Sequence, residues 1–227
     1  MQPINIYLVR HGQTFFNKYD RFQGWSDIDL TEKGIADGRR AGHLLKDIQF
    51  DAAYSSDLPR AFKTATYILE ENTQTDIIAP TPLKAFREQF FGTFEGVRGP
   101  DAVLDIVKCA PASAAHITSF SDLLTAIGAD ATLDAIHAAD PEHDAEDSKR
   151  FWTRIESGFD RLRQLHPDGG DILLVSHGAT IRSIAGRFGD ATFEGQAPAN
   201  GSITKLIVTE DDIKIAYYSV TDELPAN

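Results

Sequence analysis

Two stretches far apart in the chain share one design. INIYLVRHG (4–12) and DILLVSHG (171–178) each run almost without interruption through apolar residues and then stop at a histidine followed by a glycine. Apolar runs of this length fit strands covered on both faces, as in a parallel sheet between layers of helices. Such sheets collect ligands beyond the carboxyl ends of their strands. Two strands that both end in His-Gly are therefore expected to bring His11 and His177 into one crevice.

The remaining pattern supports that architecture. Further β-type runs lie at DAAYSS (51–56), TDIIAP (75–80), SITKLIVT (202–209) and IKIAYYSV (213–220), the last two separated by an acidic turn that predicts an antiparallel hairpin at the sheet edge. Helical segments alternate with the strands: EKGIADGRRAGHLLKDI follows the capping residue Thr31, and DLPRAFKTATYILEE follows Ser56 or Asp57 as cap, with Pro59 in its first turn. The expected fold is α/β, a mostly parallel central sheet flanked by helices, with an antiparallel edge strand. Val97 to Lys149 breaks the rhythm with short apolar clusters and no clear strand, which predicts an inserted helical cap at about 97–150. At 227 residues the chain is expected to form a single domain over 1–227 that includes this cap.

A net charge of -12 argues against nucleic acid as a partner, because displacing counterions from phosphates needs a basic face. An anionic ligand must then be held by locally concentrated cations. No run approaches membrane-spanning length, the first residues lack the features of a signal peptide, and the single cysteine, Cys109, permits neither an internal disulfide nor a multi-thiolate metal site. These features predict a soluble, cytoplasmic protein with no membrane partner.

Several side chains are candidates to share the crevice. Arg10 precedes His11 at the strand end, Arg60 lies in the first turn of a helix, and Glu88 follows the third β-type run in a loop punctuated by glycine. Asn17 and Gln23 add neutral donors. Two guanidiniums, two imidazoles and a helix N-terminus form a pocket suited to a phosphoryl group, since arginine donates in a planar fork that matches phosphate oxygens. Singly, the ordinary readings are a structural histidine, a surface arginine, a solvated carboxylate and turn-forming amides; only the combination points to chemistry.

The blocks RHGQTFFN (10–17), FQGWSDIDLTEKG (22–34), YSSDLPRAFKTA (54–65), REQFFGTFEG (87–96) and VSHG (175–178) together resemble the histidine phosphatase superfamily, also called phosphoglycerate mutase-like. The resemblance implies that His11 is the nucleophile that becomes phosphohistidine. It implies that Arg10, Arg60 and His177 surround the transferring phosphate, that Asn17, Gln23 and the Gly24 backbone complete its cradle, and that Glu88 exchanges the proton with the leaving oxygen and the incoming water. Phe16 and Phe94 stand where many members carry tryptophan, a change that keeps an aromatic. No metal and no cofactor is implied.

The short GTFEG loop resembles the phosphatase branch, so the expected activity is metal-independent hydrolysis of a small phosphorylated metabolite. A phosphoglycerate mutase using the same nucleophile is the alternative, and a phospholigand-binding module without turnover is a third reading. The aromatic group Phe86, Phe90, Phe91 and Phe94 is read as core. His137 and His143, among six acidic residues, are read as part of a solvated acidic face rather than a metal site. The edge hairpin or a cap helix offers a surface for a homo-oligomer.

Overall fold

Strand β1 (Ile4–Arg10) occupies an interior position of a six-stranded sheet, and nearly everything that matters for the site is set by its neighbours. The computed structural model describes residues 2–225. After β1 come a short helix α1 (Phe15–Lys18), α2 (Glu32–Leu44), β2 (Ala52–Ser55), α3 (Pro59–Glu71) and the two-residue strand β3 (Thr81–Pro82). The chain continues through α4 (Gly99–Ile106), α5 (Phe120–Ala139), α6 (Ser148–Leu165), β4 (Gly170–Ser176), α7 (Gly178–Phe188), β5 (Ile203–Val208) and β6 (Ile213–Val220). The strand order is β3-β2-β4-β1-β5-β6. The first four are parallel, while β5 runs antiparallel to both β1 and β6.

The continuous apolar runs have the predicted cause. Ile4, Ile6 and Leu8 of β1 join Ile172 and Leu174 of β4 against Phe151, Phe159, Ile181 and Ile184 of α6 and α7. The alternate residues Tyr7, Val9, Leu173 and Val175 meet Ala41, Ala61, Ala65 and Ile68 of α2 and α3 on the other face. Both faces are dry, so alternation disappears from the sequence.

Four details differ from expectation. TDIIAP is not a strand: pairing begins only at Thr81, with two residues matched to Tyr54 and Ser55. Pro80 and Pro82 cannot donate to a ladder, and Ile78 points outward at 87% exposure. Helix α3 is capped by neither Ser56 nor Asp57; Leu58 holds the cap position without a side-chain bond, and Asp57 instead binds Arg87 through two bonds of 2.7 Å. Helix α2 ends at Leu44, four residues early. The acidic segment 139–147 is not wholly solvated, since Asp140 and Glu146 are buried and organise loops. The Asp140 carboxylate accepts from the Thr93 hydroxyl at 2.6 Å and from the Ala145 amide at 2.9 Å, and these bonds among others hold it below the usual carboxylate range despite its burial.

Within 97–150, α4 and α5 form a third apolar cluster with Phe22 and the segment that follows Glu88: Phe22, Phe91 and Phe94 pack on Val103, Ile106, Leu123 and Ile136. Helix α5 breaks at Gly128, whose φ of 81° suits glycine, and the Ala129 amide freed there is bound by Glu194 at 2.9 Å. Helix α6, by contrast, starts inside the expected cap yet packs under the sheet through Phe151 and Phe159.

The approach of α2 to the end of β1 is the tightest contact near the site. A Cβ on Gly34 would stand 2.0 Å from the Gln13 carbonyl oxygen, and one on Gly12 would stand 2.0 Å from that of Gly34. Neither backbone atom yields like a flexible side chain. Gly34→Ala is therefore expected to destabilise the fold by about 3 kcal/mol, the upper end for overpacking; a urea midpoint unchanged from the native protein would contradict this packing.

Candidate active site

Register places the two histidines. In the parallel pair β1–β4, Arg10 lies opposite Ser176, so the next residues of each chain, His11 and His177, emerge side by side. The His11 amide donates to the Ser176 carbonyl at 3.0 Å, and the two imidazole centroids are 5.1 Å apart at an interplanar angle of 60°. His11 Nδ1 lies 2.7 Å from the Gly12 carbonyl oxygen. A carbonyl only accepts, so Nδ1 carries the proton and the Nε2 lone pair is left for another partner.

Both rings are buried, His11 at 3% exposure and His177 at 0%. Burial, then the charges of Arg60 and Arg10, push His11 well below the ordinary histidine pKa. Burial, Arg60 and His11 itself lead the same effect on His177. The rings are thus neutral at pH 7, the form in which imidazole is a nucleophile.

A cleft of about 490 Å³ opens above His11, and Arg10, Asn17, Gln23 and Glu88 line it as expected. Arg60 and His177 do not reach its surface. They lie behind His11, close enough for Arg60 to be the leading charge on both rings. Arg60 is not the surface residue that its helical position alone implies: Nη2 donates to Gly24 O at 2.6 Å and Nη1 to Ser26 O at 3.0 Å. Gly24 stands apart from the expected cradle, because its amide donates to Glu95 at 3.1 Å and its carbonyl is taken by Arg60.

Glu88 is anchored on the first turn of α7. Its Oε2 accepts from the Ala179 amide at 2.9 Å, and its Oε1 from the Thr180 amide at 2.9 Å and hydroxyl at 3.0 Å. Asn17 closes a capping box with Thr14 at the start of α1, and its Oδ1 also accepts from Asn200 at 3.3 Å. Gln23 accepts from the Thr14 hydroxyl at 2.6 Å through Oε1, while its buried Nε2 has no partner within the protein. Arg10 Nε, Arg60 Nε and both ring nitrogens of His177 are likewise buried without a partner. Unpartnered donors on Arg10, Gln23 and Arg60, together with two neutral imidazoles, are arranged for an anion.

The two His-Gly glycines have steric reasons that the sequence did not reveal. Gly12 admits the backbone of α2, and Gly178 admits the Arg10 guanidinium, whose Cζ would stand 3.0 Å from a Cβ there.

Several supporting residues escaped sequence reasoning. The Glu95 carboxylate accepts from the amides of Gly24, Trp25, Ser26 and Phe91 and from the Ser26 hydroxyl, fixing the loop whose carbonyls hold Arg60. It lies inside the quoted REQFFGTFEG block, where the sequence gives it no role. Arg154 binds the carbonyls of Ala85 at 2.8 Å, Arg87 at 3.0 Å and Glu88 at 3.3 Å and pairs with Glu146 at 2.6 Å, so it fixes the Glu88 backbone. No local pattern announces it. Thr64 accepts from the Gly12 amide at 3.0 Å, and Asn200 donates to the His11 carbonyl at 3.0 Å. The aromatic group is mostly core, as expected, although Phe91 also lines the cleft. Among the described residues, no three His, Cys, Asp or Glu side chains gather to share a metal ion, and no helix is long and apolar enough to cross a membrane.

A parallel strand end that presents a buried neutral imidazole beside unpartnered donors defines an α/β protein with an anion site. The chain belongs to the histidine phosphatase superfamily (branch 1), whose model matches residues 6–104 and 126–221. It is 31% identical over 198 residues to a 2,3-bisphosphoglycerate-dependent phosphoglycerate mutase of Bacteroides fragilis, covering 79% of this chain and 75% of that protein. Over 95 residues it is 43% identical to the enzyme of the same name in Parabacteroides distasonis, covering 41% of this chain and 38% of that one. The structure of phosphoglycerate mutase from Bacillus anthracis superposes with a TM-score of 0.85 at 34% identity, covering 97% and 94% of the two chains. An alpha-ribazole phosphatase from Shigella flexneri shares the fold, with a TM-score of 0.72 at 22% identity over 99% and 100% of the chains.

The depressed histidine pKa values carry a consequence for stability. The unfolded chain takes up protons on His11 and His177 below about pH 6.5, whereas the folded protein resists them, so stability falls as pH drops through that value. Below that value each of the two histidines adds to the loss of stability, because the unfolded chain binds a proton that the folded protein does not. Urea midpoints at pH 5 and 7 are expected to differ more in the native protein than in a His11→Asn, His177→Asn variant. Equal differences would contradict neutral burial of the pair.

Proposed function

We propose that this chain is a metal-independent phosphomonoesterase that works through a phosphohistidine on His11. His11 Nε2 attacks the phosphorus of a small phosphorylated metabolite; the Nε2–P bond forms, the P–O bond to the leaving group breaks, and the departing oxygen takes a proton through Glu88. Water then attacks the phosphohistidine, gives its proton back to Glu88, and releases inorganic phosphate with His11 restored. Arg10 and Gln23 on the cleft wall balance the charge spread over the equatorial oxygens, and the buried charge of Arg60 adds to the field from farther off.

The observation that carries this reading is the conjunction at His11: an imidazole with its proton fixed on Nδ1, encircled by buried donors that have no acceptor inside the protein. Asn17 adds a donor at the cleft wall. The Gly24 backbone is left out, its amide and carbonyl both being engaged.

A second reading is favoured by the names of the relatives. The same nucleophile would serve a phosphoglycerate mutase, in which the phosphoryl group returns to a sugar-acid hydroxyl instead of passing to water. The two readings share the first half-reaction and differ only in the acceptor.

Phosphate release from a panel of monoesters in the presence of a chelator tests the proposal. The native protein is expected to release phosphate, and His11→Ala to lose at least about a thousandfold in kcat/KM. Interconversion of 3- and 2-phosphoglycerate faster than phosphate release would replace hydrolysis with the mutase reading, and turnover undiminished in His11→Ala would refute both.

A further inference from the structure

Arg182 has no part in the chemistry described above, and its surroundings are unusual for a guanidinium. It follows Gly178 by one turn of α7, the spacing that puts both on one helix face, and both line the cleft. The residue is only 5% exposed. Among the described residues no carboxylate forms an ion pair with it, and the charges of Glu88 and Glu194 reach it only from beyond ion-pair distance. Its one hydrogen bond is from Nη1 to the Ser121 hydroxyl at 3.2 Å, its Nε is buried without a partner, and its Cζ lies 5.4 Å from the centroid of Phe120. Arg21, also on the cleft, is by contrast exposed and satisfied by the Gly96 carbonyl at 2.6 Å.

Burying an unpaired cation is costly, and the cost is offset only when an anion arrives. Ser119, Phe120 and Ser121 bring the start of α5 to the same wall of the cleft, where first-turn amides favour negative charge. Burial lowers the Arg182 pKa to about 10, which leaves it cationic at pH 7. Phe120 and Ser121 fall between the two stretches matched by the family model, 6–104 and 126–221.

We infer that Arg182, with the Ser121 hydroxyl and the first turn of α5, forms a subsite for a second anionic oxygen group, a carboxylate or a second phosphoryl group, on the substrate. The inference rests on the phosphomonoester reading for the position of the first phosphate. It assigns the substrate class as a phosphate monoester with a charged tail rather than a neutral alcohol phosphate.

Three short esters separate the possibilities: phosphoglycolate, the bisphosphate of ethylene glycol, and 2-hydroxyethyl phosphate with its neutral tail. The native protein is expected to favour one of the charged esters over the neutral one by tenfold or more in kcat/KM, and whichever it favours identifies the anion. Arg182→Met is expected to shrink that preference by about 10- to 100-fold, the worth of a charge-assisted bond to a desolvated group. Ser121→Asp, which supplies an internal carboxylate to Arg182 without emptying the site, is expected to do the same and guards against misfolding of the first variant. A native preference for the neutral ester, or proportional loss on all three esters in both variants, would overturn the subsite.

Calorimetric binding of phosphonoacetate against 2-hydroxyethylphosphonate reads the subsite without turnover. If no ester is turned over, the phosphomonoesterase reading fails. Weaker binding of phosphonoacetate alone to Arg182→Met would still support the subsite, and unchanged binding would overturn it.

Discussion

The parallel pairing of β1 with β4 is the constraint on which the site depends. With Arg10 opposite Ser176, the histidine that follows each strand has no freedom to be elsewhere than beside the other. A slip of one residue would send every side chain of β1 to the opposite face, and both faces are packed, so the register is fixed by the whole core. The placement of His11 is therefore set by Ile6, Leu8, Leu173 and Val175 as much as by its polar neighbours.

Around this frame, carboxylates act as internal organisers in an acidic protein. Glu95 gathers four amides and a hydroxyl, Glu146 holds Arg154 against three carbonyls, and Glu88 sits on the first turn of α7. Arg10 and Arg182 line the cleft. A net charge of -12 is thus compatible with an anion site, because local placement rather than total charge sets the field at His11.

Much of this was legible in the sequence because it rests on short-range signals. The strands ending at His11 and His177 announce themselves by apolar runs, and the hairpin of β5 and β6 by its acidic turn. What stayed hidden depends on long-range geometry. TDIIAP has the composition of a strand, yet only tertiary context shows that prolines delay the pairing to Thr81. The charge of Arg60 acts on both histidines, but its fork grips the carbonyls of a loop 34 to 36 positions away and it does not line the cleft. Asp140, in a segment that reads as solvated charge, is buried because several donors converge on it. Arg182 sits at a helix position with no distinguishing pattern, and only the arrival of α5 beside it gives it meaning.

The central claim is that His11 Nε2 takes the phosphoryl group. Rapid mixing of the native protein with a good phosphate ester, denaturation within milliseconds at alkaline pH and mass spectrometry of the peptide spanning residues 4–21 test it most directly. The account predicts an acid-labile, alkali-stable phosphoryl group on His11. A phosphoryl group found on another residue, or rapid turnover with none trapped on His11, would contradict it.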